Sequence, residues 1–300
     1  MAKNRQDKLF FPPYLKQREN RVTGELMNSG KVVHGRIKQA LTKWCLHDLG
    51  EKWSLDKICQ VAKDLGLPAI EVVSPEDFPT LKKYGLVSAL TTSHLFVRGM
   101  NNPLHWDECL GQLGRSIDAN AEVGFPNVVT FTGYADTSGA EKGSLVTREQ
   151  GIRNCVEGYK KIVGQAEKQK VTICLEPLNT RDGADMKGHP GYQGDHLDFC
   201  VEVIEKVGSP ALKLLFDVYH VQIMDGDLIR RVKEHVDIIG HVQVAGNPGR
   251  GELDSNQEVN YPAVMRALLE SGYQGYVGLE FIPTRDTLQS IKEAVTWLDV

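Results

Sequence analysis

Four apolar runs near the C-terminal half decide the fold: VTICLEPLN (171–179), LKLLFDVYH (212–220), HVQVAGNPGRGE (241–252) and YVGLEF (276–281). Each is short and β-branched or aromatic, and each ends on an oxygen-bearing side chain: Glu176, Asp217, Gln243 and Glu280. Side chains alternate along a strand, so residues two apart share a face. Glu176 shares a face with Thr172 and Cys174, leaving Ile173 and Leu175 opposite. Asp217 follows Leu215, Gln243 follows His241, and Glu280 follows Gly278. Their apolar neighbours Phe216, Val242, Val244, Val277 and Leu279 face the other way.

Working outward, the pattern repeats toward the N-terminus. Further strand-like runs occupy 37–44, 69–73, 86–93 and 127–133, and the last four are expected at 171–176, 212–218, 238–246 and 276–281. Helical periodicity falls between them, near 54–66, 76–84, 105–123, 147–169, 195–207, 227–235, 262–271 and 286–298. Ser54 and Thr147 stand where helices start, and Gly66, Gly208 and Gly272 where they stop. Strict alternation of strand and helix implies parallel pairing through right-handed crossovers. Eight such units close into a (β/α)8 TIM barrel, an α/β fold of this size. An open doubly wound sheet is the alternative, but no G-x-G-x-x-G follows the first strand. Residues 36–300 are expected to form this single barrel domain. Residues 1–35, polar and carrying Pro12-Pro13, read as an N-terminal arm.

Composition narrows the function. The 300 residues carry 35 basic and 39 acidic side chains, a net charge of −4, and 41% hydrophobic residues. A nucleic-acid or membrane-surface binder needs basic patches, so neither partner is expected. The six cysteines form no C-x-x-C pair, which excludes a structural zinc knuckle and suggests a reducing, cytoplasmic setting. A possible homo-oligomer is left open.

In a barrel, strand C-terminal ends build the active site. Strand-end carboxylates also cap neighbouring helices, yet four oxygen donors in successive units with one parity point to shared chemistry. Three carboxylates in one pocket cannot all stay ionised without a compensating charge. One divalent cation compensates, and an all-oxygen set of Glu176, Asp217, Gln243 and Glu280 suits Mn²⁺ or Mg²⁺, with other divalent metals possible. Glu176 and Glu280, three strands apart around the ring, suit proton removal and return beside a carbonyl. His220 and Arg250 adjoin the same rim as candidate substrate-binding residues. His94, His189, Asn247 and Trp44 are further candidates, Trp44 by sharing the inward parity of Thr42. Glu71 points inward from the second strand and reads as a buried carboxylate bonded to barrel neighbours.

The strings LEPLN, FDVYH, HVQVAGNPGRGE followed by VNY, and GLEF resemble the xylose isomerase-like sugar isomerase/epimerase superfamily, within it the hydroxypyruvate isomerase branch. The resemblance covers most of 36–283 and is most specific in 171–283. It implies a metal held by Glu176, Asp217, Gln243 and Glu280, with the two glutamates as acid/base pair. It also implies interconversion of hydroxypyruvate and 2-hydroxy-3-oxopropanoate. Two features depart from that branch: Ile282 stands where a lysine is usual, and the loop after Asn179 is long and rich in Gly and Asp. A ketose 3-epimerase or an inosose-type dehydratase would use the same site. A metal-dependent phosphodiesterase of the endonuclease IV kind, or a non-catalytic barrel, completes the alternatives.

Overall fold

The structure is a computed structural model that describes residues 30–139 and 144–300. Its strands are β1 (Lys38–Thr42), β2 (Ala69–Val73), β3 (Val87–Thr91), β4 (Asn127–Phe131), β5 (Thr172–Glu176), β6 (Leu212–Asp217), β7 (Ile239–Val244) and β8 (Tyr276–Leu279). They form a closed barrel in chain order, all neighbours parallel, with β1 sealing against β8 from Lys38↔Tyr276 to Leu41↔Leu279. Closure excludes the open-sheet alternative.

The alternation read from the sequence separates two apolar layers. Ile173, Leu175, Leu214, Phe216, Val242, Val244, Val277 and Leu279 all join the large cluster between strands and helices. Cys174 and Leu215, with the opposite parity, pack inside the barrel with Leu90 and Val129. Ala40, Ala69 and Ala89 form a second interior group. All six cysteines are buried and unpaired, as expected of thiols serving as small hydrophobes.

Helix ends follow the predicted caps. Ser54 accepts from Lys57 N, Thr147 and Gln150 form a reciprocal capping box, and Gly66 terminates its helix at φ +80°, a conformation that costs glycine nothing. Three expectations need correction. The helix expected over 147–169 is two, Arg148–Lys160 and Val163–Gln169; between them the backbone tightens, Lys161 N donating to Gly158 O and Ile162 N to Tyr159 O, three residues back instead of four. The strand expected over 37–44 stops at Thr42, and Trp44 lies in a short helix, Lys43–His47. Strand parity therefore does not direct its indole. A further helix, Val218–Met224, starts directly from Asp217, whose carboxylate accepts from Tyr219 N.

Of the expected arm, residues 1–29 lie outside the described residues. At 33–35 the backbone N–H groups of Val33, His34 and Gly35 all donate to the Asp299 carboxylate, fastening the entry to β1 against the C-terminus. Among the described residues, no helix is long and apolar enough to cross a membrane.

Two register irregularities fall on strands that carry acids. The β2–β3 pairing shifts on both sides of Glu71, and the β6–β7 pairing shifts between Leu214 and Leu215. Such bulges re-aim side chains near barrel mouths. Leu175, fully buried and facing the helices, tests the layering. Leu175→Ala should cost about 2–5 kcal/mol in urea denaturation while leaving ligand binding at the mouth intact; a loss of binding comparable to the loss of stability would contradict the separation of layers.

Candidate active site

At the C-terminal ends of the strands lies a cavity of about 500 Å³. Its polar lining includes Glu176, Gln243, Glu280 and Arg250, and its apolar lining Leu90, Val129 and Phe131. Strand register brings the acids to one level: Asp217 pairs with Gln243, and Gln243 with Gly278, two residues before Glu280.

Below this level Glu71 is fully buried. Its Oε1 accepts from Thr42 Oγ1 at 2.6 Å and from Gln243 Nε2 at 3.0 Å, and its Oε2 lies 2.5 Å from His241 Nε2. The expectation of a carboxylate bonded to barrel neighbours holds.

Arg250 is sandwiched between Trp44 and Tyr219, its guanidinium 5.1 and 5.6 Å from their ring centroids. Its Nη2 donates to Glu280 Oε2 at 2.5 Å and lies 3.7 Å from Asp217 Oδ2. Its Nη1 donates to Met186 O, and its buried Nε has no partner. Trp44 Nε1 donates to Glu280 Oε1 at 2.8 Å, so the indole reaches the site despite the correction to its secondary structure.

Burial dominates the electrostatics. It pushes Glu176 well above the usual carboxylate range, and the neighbouring charges of Glu280 and Asp217 add to the effect. Burial likewise raises Asp217 to about 7 against the lowering influence of Arg250. Glu280 is also raised by burial, with Arg250 and the Trp44 hydrogen bond opposing. Burial and then Arg250 hold His220 well below its ordinary value, so its ring is neutral.

The polar atoms left over describe what the site can hold. Asp217 Oδ2, Gln243 Oε1 and His220 Nε2 are buried without hydrogen-bond partners. Ligand atoms of Glu176, Asp217 and His220 lie within 4.8 Å of one another, a candidate divalent-metal site. Unpaired buried oxygens beside several raised carboxylates fit a hard cation. The nitrogen differs. The Asn179 backbone N–H, which can only donate, points to His220 Nδ1 at 3.1 Å, and Asn179 Nδ2 lies 2.7 Å from the same atom. Nδ1 is therefore the acceptor, and the neutral ring carries its proton on Nε2, which lies 3.4 Å from Asp217 Oδ2.

The remaining sequence candidates are placed differently. His189 lines the cavity with its ring 4.2 Å from that of Phe96, and burial pushes it down to about 4. His94 lines it too, but Nε2 meets Thr130 Oγ1 and Nδ1 meets the carbonyls of Leu95 and Arg98. Both its nitrogens fasten the loop. Asn247 is not brought to the cavity; its amide donates to Glu258 Oε1 at 2.7 Å, bracing the loop that carries Arg250. Sequence reading missed Asn179, although LEPLN contains it, because its partner lies 41 residues away.

A closed parallel barrel whose mouth gathers buried carboxylates around a candidate cation seat is the architecture of metal-dependent sugar isomerases and epimerases. The chain belongs to the xylose isomerase-like TIM-barrel family, whose model matches residues 59–299. It is 28% identical over 242 residues to the 2-oxo-tetronate isomerase of Cupriavidus necator, 78% of this chain and 88% of that protein. To the hydroxypyruvate isomerase of Escherichia coli (strain K12) it is 31% identical over 151 residues, 50% of this chain and 54% of that protein. The crystal structure of AP endonuclease, family 2 from Brucella melitensis superposes with a TM-score of 0.71 at 23% identity, covering 85% of this chain and 96% of that one; that likeness shows the fold alone.

Long-range ¹H–¹⁵N NMR on histidine-labelled protein should report His220 as neutral below its ordinary pKa and protonated on Nε2. Asn179→Ala keeps the backbone N–H that donates to Nδ1 and should leave the proton on Nε2; a ring protonated on Nδ1 in either protein would remove that N–H as the group that fixes it.

Proposed function

We propose that this protein is a divalent-metal-dependent isomerase that moves a proton between neighbouring carbons of a small hydroxy-carbonyl acid, converting hydroxypyruvate to 2-hydroxy-3-oxopropanoate. The observation that carries the reading is the pair of buried glutamates, Glu176 and Glu280, lining one cavity, with unpaired Gln243 and Asp217 oxygens in the same buried cluster. Glu176, Asp217, Gln243 and Glu280 would hold Mn²⁺ or Mg²⁺, an all-oxygen set. His220 is read as a substrate donor and not as a ligand, since its Nε2, 3.4 Å from Asp217 Oδ2, bears the proton. A bound divalent cation supplies polarisation of the substrate carbonyl and hydroxyl oxygens.

The chain's own residues then divide the work. Glu280, which accepts hydrogen bonds from Arg250 and Trp44, takes the proton from the hydroxyl-bearing carbon C3, giving an enediolate, and returns it to C2. The hydroxyl proton passes from the C3 oxygen to the C2 oxygen, so mass and charge balance, and Glu176 stays an ionised ligand throughout. His220 Nε2–H donates to the oxygen on which charge develops. Arg250, with its Nε unpaired, is suited to the substrate carboxylate.

The cavity supports a second reading. A volume of about 500 Å³ exceeds what a three-carbon acid fills, and the 2-oxo-tetronate isomerase relative acts by name on a four-carbon one. Incubating Mn²⁺-loaded protein in D₂O with hydroxypyruvate, 2-oxo-tetronate and a ketohexose, and following deuterium beside the carbonyl by NMR, discriminates them. Incorporation from hydroxypyruvate is expected, with Glu280→Gln slower by about 10²–10⁴-fold. Exchange from the ketohexose alone would replace the reading with a 3-epimerase, and no exchange from any compound would sink isomerase chemistry.

Metal uptake has its own pH signature. Asp217, raised to about 7, and Glu176, raised well above the usual carboxylate range by burial, must lose protons before they can ligate. Mn²⁺ binding should therefore release protons and tighten as pH rises through about 7. Calorimetry in two buffers of different ionisation enthalpy reads the proton count; a pH-independent affinity would contradict the carboxylate set.

A further inference from the structure

We propose that Glu71 is the positioning residue that turns the Gln243 amide oxygen toward the cation, an inference that rests on the metal reading above. A glutamine amide has two nearly isosteric ends, one donating and one accepting, and only its oxygen can ligate a metal. Nothing in the shape of the side chain chooses between them; a hydrogen-bond partner must. Glu71 Oε1 already accepts from Thr42 Oγ1, and a carboxylate oxygen facing an amide tolerates its N–H₂ and repels its carbonyl. The 3.0 Å contact from Gln243 Nε2 therefore sends Gln243 Oε1 the other way, where it lies buried and without a hydrogen bond. Flipping the amide would set two oxygens against each other below and present N–H groups to the cation above.

The barrel holds Glu71 in place from three other strands. Thr42 on β1 is its register partner, and His241 on β7, 170 residues away, contacts the second oxygen. On β8, Gly278 leaves the room the carboxylate occupies: a Cβ there would sit 2.0 Å from all three carboxylate atoms. Gly278 is itself the register partner of Gln243, so the absent side chain gives the carboxylate its access to the amide. Groups that orient metal ligands in this way are worth about 10–100-fold in metal affinity.

The test is Mn²⁺ affinity, read by calorimetry or by the free-ion electron paramagnetic resonance signal on the purified full chain. Glu71→Gln can accept as well as donate, so it should release the Gln243 orientation and weaken Mn²⁺ binding about 10–100-fold. The exchanged pair Glu71→Gln with Gln243→Glu keeps the net charge and gives the upper position two equivalent oxygens, so affinity should recover. Glu71→Asp retains the charge beside His241 but withdraws it from Gln243; it should weaken binding in the same way, and it stands if Glu71→Gln fails to fold. A role in stability alone predicts lowered melting temperatures with unchanged Mn²⁺ affinity. That result, or an exchanged pair as weak as Glu71→Gln, would overturn the proposal. Wild-type protein that takes up no Mn²⁺ would overturn the metal reading itself and the positioning role with it, whereas normal wild-type uptake beside unaffected Glu71 variants removes the positioning role alone.

Discussion

Concentrated negative charge inside a nonpolar shell is the constraint around which the molecule is arranged. Glu71, Glu176, Asp217 and Glu280 are all buried at one end of the barrel, and Arg250 is the single fully buried Lys or Arg among the described residues. Ionised carboxylates in such a place are costly unless paired, and the raised states of Glu176, Asp217 and Glu280 express that cost. Much of the surrounding structure serves the compensation. Trp44 and Tyr219 sandwich the Arg250 guanidinium, and Met186 O, Glu280 and Asp217 hold its nitrogens. Asn247 and Glu258 brace the loop from which it projects.

The barrel supplies the means by parity. One face of β5, β7 and β8 feeds the helical layer with Ile173, Leu175, Val242, Val244, Val277 and Leu279, which keeps water and counterions away from the acids. The other face delivers polar side chains at a common height. Beside two of the acids the pairing is irregular: the β2–β3 register shifts around Glu71, and the β6–β7 register shifts before Leu215 by one extra residue on β7. The helical layer thus provides the low dielectric, and the interior face provides the groups whose chemistry that dielectric sharpens.

The sequence was legible where a local rule decides the outcome. Strand alternation depends on period 2 alone, and it placed Cys174 and Leu215 inside and their neighbours outside. Helix caps at Ser54 and Thr147 depend on residues three apart. Legibility failed where the decision is tertiary. Trp44 continues an alternating run, yet the chain turns into a helix at Lys43, and from there its indole reaches Glu280, 236 residues on. The break between Lys160 and Val163, where the backbone bonds tighten to i→i+3, interrupts good helical periodicity. Asn247 and His94, polar residues beside the right strands, were equally plausible from spacing, but their hydrogen bonds are spent on Glu258 and on the loop after β3. Asn179 and the partners of Glu71 could not be read at all, since contacts across 41 and 170 residues leave no mark on local pattern.

Two side chains at the mouth are ambiguous by constitution, the Gln243 amide and the His220 imidazole, because each can present either a donor or an acceptor. In each case the ambiguity is removed by a neighbour without that freedom. A backbone N–H at Asn179 can only donate, so His220 carries its proton on the other nitrogen, beside Asp217. A carboxylate oxygen of Glu71, already accepting from Thr42, can only accept, so Gln243 turns its oxygen outward. Under the proposed reading these opposite settings are what the chemistry needs: oxygen for the cation, and N–H for the substrate oxygen that gains charge. An accepting nitrogen at His220 would compete for the metal, and an N–H at Gln243 would repel it. Specificity of role at this site therefore resides less in the residues that face the cavity than in the fixed donor and acceptor standing behind them.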